Sequence, residues 1–222
     1  MKNLIYLFVV TLMFCSCQPS AEPGQSVENT SVKDTAEGGW FLNELLNLAD
    51  MNAVKEKFGE KNVIIDTLWG PEGMFEIGTK LFPGTANEVE IMWMDSVKYA
   101  GIIHVMTYAR RNQETYEPIF NSEWKTREGV YLGMTLEDLV KLNGKPIKFL
   151  GFDWDYGGGV VSFENGKLEG SHLSIGLSYN MDPQSVSESE FSGILGDTEI
   201  STENKDLSKF KIKVVRLGIY KP

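Results

Sequence analysis

One helical pattern occurs twice in this chain, and the two copies lie 85 positions apart (135 minus 50). Residues 50–59 read DMNAVKEKFG and residues 135–144 read TLEDLVKLNG. Each begins with a residue type that caps helices, Asp50 or Thr135, and each ends at a glycine, of which Gly144 suits the left-handed position after a helix. Apolar residues recur between these ends at helical spacing. We therefore predict that one structural unit has been duplicated.

Each predicted helix is followed by a tryptophan and then by short alternating runs. Trp69 and Trp154 each come ten residues after the glycine that ends the helix. Alternating runs bounded by turn residues predict β-strands. They cover residues 74–79, 88–93 and 102–108 in the first copy, and 160–163, 172–179 and 214–220 in the second.

This order of elements predicts an α+β fold. We expect two tandem helix-plus-antiparallel-strand repeats, residues 40–120 and 121–222. Together they would form a two-layer structure, an antiparallel sheet with helices on one face.

The second repeat carries a local resemblance to a known family. Residues 133–135, the helix after them and residues 144–146 are similar to the Gly-Met-Thr, helix, Gly-x-Pro pattern of the outer-membrane assembly lipoprotein family. The arrangement also resembles the β-lactamase inhibitor protein family, in which a helix pair packs on a short antiparallel sheet. The match covers about a dozen residues per repeat, and Glu60-Lys61 replaces Lys145-Pro146 in the first copy. Such a resemblance implies a fold and leaves the function open.

The first 16 residues are typical of an export signal. Their apolar stretch is too short for a permanent transmembrane helix. Cys17 follows the small residue Ser16, which resembles the lipobox of bacterial lipoproteins and implies that the Cys17 sulfur carries lipid after cleavage. Acylation at Cys15 is a minor alternative because it would put bulky Phe14 at the cleavage position, and an ordinary secretory signal is the other.

The lipobox resemblance implies a location and a first partner. We expect the protein to be anchored to the outer membrane through acylated Cys17, on its periplasmic side or at the cell surface. Residues 17–39 are rich in Pro, Gly, Ser and Thr, a composition that predicts a flexible tether. With 21 Lys and Arg against 31 Asp and Glu, the net charge of -10 argues against a nucleic-acid partner.

Alternation assigns two faces to the predicted sheet. Apolar positions, among them Ile103, Val105 and Val215, should meet the helices. The opposite face would carry Glu88, Glu90, Met92, His104, Met106, Tyr108, His172, Ser174, Arg216 and Tyr220. Because Tyr, Met and Arg are enriched in interfaces, we predict that this face, Ser174 aside, binds a protein partner. A merely solvated face is the alternative.

No common catalytic signature occurs, so we predict no catalysis, no cofactor and no metal. A shared metal or acid–base role for His104 and His172 is a weaker alternative. Asp153, Asp155 and Glu164 stand at positions one, three and twelve of a calcium-loop pattern, although Gly157 supplies no side-chain oxygen at position five. These carboxylates leave two alternatives open, a calcium-dependent binding protein and an envelope hydrolase acting on carbohydrate.

A long acidic segment, residues 180–208, stands where the first copy has only residues 94–100. We expect a mobile loop whose Phe191, Ile194 and Leu195 either dock a partner or cover the end of the sheet. Taken together, the sequence predicts a lipid-anchored, non-catalytic envelope protein that acts as a protein-binding or adaptor module.

Overall fold

Strands form most of the regular structure of this chain. The computed structural model describes residues 40–203 and 205–222, so the predicted signal, Cys17 and the predicted tether lie outside the described residues. The helices are α1 (Leu42–Leu45), α2 (Met51–Phe58), α3 (Leu136–Asn143) and α4 (Glu188–Ser192). The strands are β1 (Trp40–Phe41), β2 (Val63–Trp69), β3 (Phe75–Leu81), β4 (Val89–Asp95), β5 (Ala100–Tyr108), β6 (Arg110–Arg111), β7 (Pro118–Ile119), β8 (Trp124–Lys125), β9 (Lys148–Leu150), β10 (Val160–Ser162), β11 (Leu173–Ser178), β12 (Glu199–Ser201) and β13 (Lys213–Tyr220).

The two predicted helices begin and end where their capping signals stand. The side chain of Asp50 accepts a hydrogen bond from the N–H of Ala53 at 2.9 Å, at the start of α2. Thr135 does the same for the N–H of Asp138 at 3.1 Å, at the start of α3. Gly144 ends α3 in the left-handed conformation, with a φ of 74°. These helix predictions are confirmed.

A six-stranded antiparallel sheet forms the centre of the fold, in the order β11-β13-β5-β4-β3-β2. Its inner face carries apolar side chains such as Ile91, Val105 and Leu217, which are buried in the hydrophobic core. α1 packs against β5 and β13, and α2 packs against β2. The remaining strands form a three-stranded sheet, β10-β9-β12, and the two-stranded pairs β1-β8 and β6-β7.

The prediction of two helix-plus-strand repeats with helices on one sheet face is wrong. In the second half, β9 pairs with β10 on one side and with β12, a strand from the acidic segment, on the other, so these three strands form a separate sheet. The helices are also too short for the predicted layer. Eight residues of α2 or α3 extend about 12 Å, whereas six strands span about 24 Å. The three-stranded sheet and loops supply the rest of the core.

The described residues of the acidic segment include a helix, α4, and a strand, β12, contrary to the expectation of a mobile loop. α4 begins with a capping box between Ser187 and Glu190. Ile194 is fully buried in the core, and the ring of Phe191 packs edge-on against Tyr179. These apolar side chains therefore cover part of the core.

Two bulges change which residues face the core. The pairing of β4 with β5 shifts between Met92 and Trp93, so Ile102 is fully buried where Ile103 was expected. The pairing of β11 with β13 shifts in the same way, and Val214 takes the buried position predicted for Val215. An extra residue in one strand moves the next side chain to the opposite face.

The distal half of the β2–β3 hairpin, residues 65–78, leaves the sheet; we call it the arm. β3 pairs with β4 only from Thr79 to Leu81, although β2 and β3 pair along their whole length. Gly78 is the corner, since a Cβ there would lie 2.7 Å from the carbonyl oxygen of Ile91 and 2.4 Å from Cδ1 of Leu68. Glycine at such a bend allows one backbone to approach another closely.

The arm crosses the outer face of the sheet. Leu68 is only 4% exposed, yet it does not belong to the main hydrophobic core. At the tip, the N–H of Glu72 donates a hydrogen bond to the Asp155 carboxylate at 3.1 Å. Asp155 lies in the loop of residues 153–159, which borders the outer face because Gly157 and Arg216 line one cavity. The outer face is therefore partly covered, not bare as predicted.

We expect Gly78→Ala to destabilise the protein by about 1–3 kcal/mol, because the added methyl group would overlap a backbone carbonyl that cannot easily move. Urea unfolding of the purified protein measures the change. Gly70→Ala is the matched control on the same hairpin, since a Cβ there meets its nearest atom at 3.7 Å. Equal stability of both variants would contradict the close approach at Gly78.

Candidate functional site

Most of the predicted partner-binding residues lie together on the outer face. Strand pairing sets Met92 opposite His104 and His104 opposite Tyr220. It likewise sets Glu90 opposite Met106, and Tyr108 opposite Arg216. The two remaining residues flank the strands: Glu88 precedes β4, and His172 precedes β11, where its carbonyl accepts a hydrogen bond from the N–H of Tyr220. Their role in binding a partner stays a prediction.

The outer-face residues differ widely in exposure. Tyr108, Tyr220 and His172 are exposed, whereas His104 is buried at 3% exposure. The others are half-buried: Glu88, Glu90, Met92, Met106 and Arg216. A partner approaching this face would therefore meet mainly the tyrosines.

Lys80 joins the base of the arm to the outer face. Its Nζ lies 3.0 Å from Asp66, 3.6 Å from Glu88 and 3.9 Å from Glu90. Burial opposes the charge on Lys80, but the hydrogen bond with Asp66 and the charges of the two glutamates raise its pKa overall. The same hydrogen bond lowers the pKa of Asp66. Lys80 was missed in the sequence because no local pattern places three carboxylates around it.

A second polar contact links Glu90 to Tyr108. Burial raises the pKa of Glu90, although the nearby Lys80 opposes that shift. Although part of the Tyr108 side chain is exposed, removal of water from its hydroxyl raises the pKa of Tyr108 above its usual value, and the negative charge of Glu90 adds to this effect. The Tyr108 hydroxyl therefore stays protonated and hydrogen-bonded to Glu90.

His104 is a neutral, enclosed imidazole. Its ring stacks on Tyr220 with the centroids 3.9 Å apart and an angle of 5° between the planes. Nδ1 lies 3.1 Å from the Met92 sulfur, and Nε2 is buried without a hydrogen-bond partner. Burial, with a smaller effect from the Arg216 charge, lowers the pKa of His104 to about 4. The ring is thus uncharged near pH 7.

A cavity of about 220 Å³ opens where β5, β11 and β13 meet the loop of residues 153–159. Arg216 lies along its wall, over Gly176. A Cβ at position 176 would lie 2.9 Å from the Arg216 Nε, so a glycine leaves room for the guanidinium. Gly158 has a φ of 73°, and a Cβ there would lie 2.1 Å from the Leu177 carbonyl oxygen. In the sequence, the three consecutive glycines at 157–159 were the only indication that the backbone packs closely here.

The three carboxylates of the calcium-loop pattern each have a separate partner. Asp153 accepts a hydrogen bond from the Tyr179 hydroxyl at 3.0 Å. Asp155 accepts a hydrogen bond from the backbone N–H of Glu72 at the arm tip. Glu164 pairs with Lys148 at 3.3 Å. Within residues 40–203 and 205–222, no three His, Cys, Asp or Glu side chains converge as metal ligands. The structure does not bring this predicted set together, and His104 and His172 also differ in their surroundings.

The outer surface of the arm carries large apolar side chains that the sequence analysis missed. Strand pairing places Ile65, Trp69, Phe75 and Ile77 on one face, and the rings of Trp69 and Phe75 are 5.4 Å apart. Their exposed fractions are 52%, 66%, 64% and 42%. We call these four residues the arm patch. The alternation of Ile65, Thr67 and Trp69 in β2 was the available signal.

Comparison with known proteins finds no match for this chain among protein-family models, curated proteins or solved structures. Within the described residues, none of the helices has the length and apolar character needed to span a membrane.

We expect acid to destabilise the protein through His104. Its pKa falls from the usual 6.5 to about 4 on folding, so the unfolded chain binds more protons between these values. Stability should therefore fall as the pH drops through this window, by about 2 kcal/mol between pH 7.5 and pH 5. Urea unfolding at both pH values, in the wild type and in His104→Phe, measures this contribution because the variant lacks the imidazole.

His172→Asn is the control for this experiment, because His172 is exposed. It should keep the pH dependence of the wild type. If His104→Phe kept that dependence undiminished, the neutral buried imidazole would be contradicted.

Proposed function

We propose that this protein is a lipid-anchored, non-catalytic module of the bacterial envelope that binds another protein through the arm patch. The observation that carries the proposal is the exposure of four large apolar side chains on one face of a single hairpin. The sequence analysis predicted that a partner binds the outer face of the sheet. We now propose that the partner binds the arm, which covers part of that face.

The chemistry of the arm patch favours a protein partner. Contiguous exposed apolar surface marks interaction sites on soluble domains. Tryptophan and other aromatic residues are also enriched at the energetic centres of protein interfaces. β2 is an edge strand of the sheet, so an approaching chain finds unpaired backbone groups beside the patch.

The charge of the arm argues against a bilayer as the binding partner. Residues 65–78 contain Asp66, Glu72 and Glu76 but no lysine or arginine. Surfaces that bind anionic membranes carry basic residues, which attract the lipid headgroups. An acidic arm would instead be repelled, so the proposed contact with the membrane is confined to the lipid on Cys17.

The arm patch can be tested by photo-crosslinking in cells. A photoreactive residue at position 75 should crosslink to a discrete envelope protein, and Trp69→Asp should reduce that product at least tenfold, because loss of a buried aromatic anchor typically costs more than 1.4 kcal/mol. Trp69→Asp should leave the melting temperature nearly unchanged, because the side chain is exposed.

Position 97 is the matched control, since Val97 is 86% exposed in the turn between β4 and β5 and lies outside the arm. It should give little of the same product. Equal crosslinking from both positions, or adducts only with lipid, would contradict the proposal. Crosslinks only to a second copy of the chain would identify self-association instead.

The anchor is tested separately by metabolic labelling with a fatty-acid analogue. Cys17→Ala should abolish labelling and release the protein from the membrane fraction, because the acceptor sulfur is lost. Cys15→Ala is the matched control and should keep both. The opposite pattern would assign the lipid to Cys15, and labelling of neither protein would refute the lipoprotein interpretation.

A further inference from the structure

The cavity beside β13 is positively charged in a protein that is strongly acidic. Its charged lining residues are Arg111 and Arg216, and no acidic side chain lines it. The chain as a whole has ten more acidic than basic side chains (31 minus 21). Because acidic side chains outnumber basic ones in this chain, a cavity lined by randomly placed charged residues would contain more carboxylates than arginines. Two arginines without a carboxylate are therefore unexpected.

Arg216 differs from the other arginines in having no polar partner. Arg110 donates to the carbonyl of Gly84, Arg111 donates to the carbonyl of Tyr116, and Arg127 pairs with Glu44. Within the described part of the chain, Arg216 makes no hydrogen bond or ion pair, and its Nε is buried without a partner. The two terminal nitrogens of the guanidinium therefore have no acceptor among the described residues, and hydrogen bonds from a charged donor to an anion are among the strong ones.

Two carboxylates that neighbour the cavity lining, Glu90 beside Tyr108 and Asp155 beside Gly157, are already engaged elsewhere. Glu90 interacts with Lys80 and with the Tyr108 hydroxyl. Asp155 accepts the hydrogen bond from the arm tip. Neither lies within ion-pair distance of Arg216, so the folded chain leaves the guanidinium free for a ligand.

We propose that this cavity binds a carboxylate group, with Arg216 as the bidentate donor and Arg111 as a second positive charge. The carboxylate belongs either to a small organic acid or to the C-terminus of a short peptide. Ala109, Leu177, Val215 and the ring of Tyr108 line the rest of the cavity and accommodate a short apolar body. This inference does not depend on the arm patch.

A carboxylate fits the available donors better than a phosphate does. A planar guanidinium binds either group in a fork, but that one fork already satisfies both oxygens of a carboxylate. A phosphate monoester presents three terminal oxygens and inorganic phosphate four, so after one guanidinium fork they need further donors, such as free backbone N–H groups. The N–H groups of Gly157, Gly158 and Gly159 are all bonded to backbone carbonyls, so they offer none.

The size of the cavity limits the ligand. A volume of 220 Å³ corresponds to about seven water molecules. This space accommodates one carboxylate and a short aliphatic chain or a single ring. A longer ligand would extend out of the cavity into solvent.

The test is a titration of the full chain, followed by NMR of the arginine side-chain Nε–H groups. The probes are hexanoate, benzoate, methyl hexanoate, inorganic phosphate, and a short peptide with either a free or an amidated C-terminus. We expect a free carboxylate to shift the Arg216 Nε–H signal in a saturable way, while the ester and the amidated peptide leave it unmoved. Binding of hexanoate or benzoate alone would identify a small organic acid as the ligand. Binding of the peptide with a free C-terminus alone would identify a peptide C-terminus.

Variants establish whether Arg216 carries the binding. Arg216→Gln should weaken it at least tenfold, because it removes a charge-assisted pair. Arg127→Gln is the matched control and should change affinity less than twofold, since Arg127 lies outside the cavity. If Arg216→Gln does not fold, Arg216→Lys keeps the charge but loses the fork and should still weaken binding several-fold.

Three results would overturn the proposal. They are the absence of saturable binding by every carboxylate probe, equal affinity of the wild type and the folded Arg216 variant, and binding of phosphate alone. Because the arm-patch experiment uses different residues and a different readout, failure of either proposal leaves the other open to its own test.

Discussion

Where β3 turns out of the sheet, a Cβ on Gly78 would lie 2.7 Å from the Ile91 carbonyl oxygen. The arrangement of the outer face depends on this close backbone approach. Because the arm folds over the sheet there, Leu68 is buried outside the main core and the arm tip reaches the loop that contains Asp155. The approach is further held by Lys80, whose charge is balanced by carboxylates on both the arm and β4.

The two proposed binding sites, the arm patch and the cavity beside β13, differ in their chemistry. The outer surface of the arm is apolar and exposed, as in many surfaces that recognise proteins. The cavity beside β13 is cationic, small and partly apolar, which suits one functional group of a ligand. On the outer face itself, the imidazole of His104 is uncharged near pH 7 and stacks on the ring of Tyr220. The two sites therefore differ in ligand class and share no residue.

Local signals in the sequence predicted local structure well. Asp50 and Thr135 cap the helices as their residue types indicate, and the alternating runs became β3, β4, β5, β10, β11 and β13 with shifts of one or two residues at their ends. Alternation also grouped the outer-face residues, since side chains of a strand alternate between its faces. It failed at Ile103 and Val215, where a bulge inserts a residue and reverses the phase.

The long-range features were not predictable in this way. Which strands pair depends on the whole chain. The acidic segment contains β12, which pairs with β9, so β9, β10 and β12 form a sheet separate from the six-stranded one. The importance of Gly78 lies in a contact with another strand that no spacing reveals. Strand order has a further consequence, because β13 follows every other described strand along the chain yet lies between β5 and β11. While the chain folds from its N-terminal side, the sheet cannot be completed until residues 213–220 are inserted, and until then β5 and β11 present open edges for a chaperone to shield.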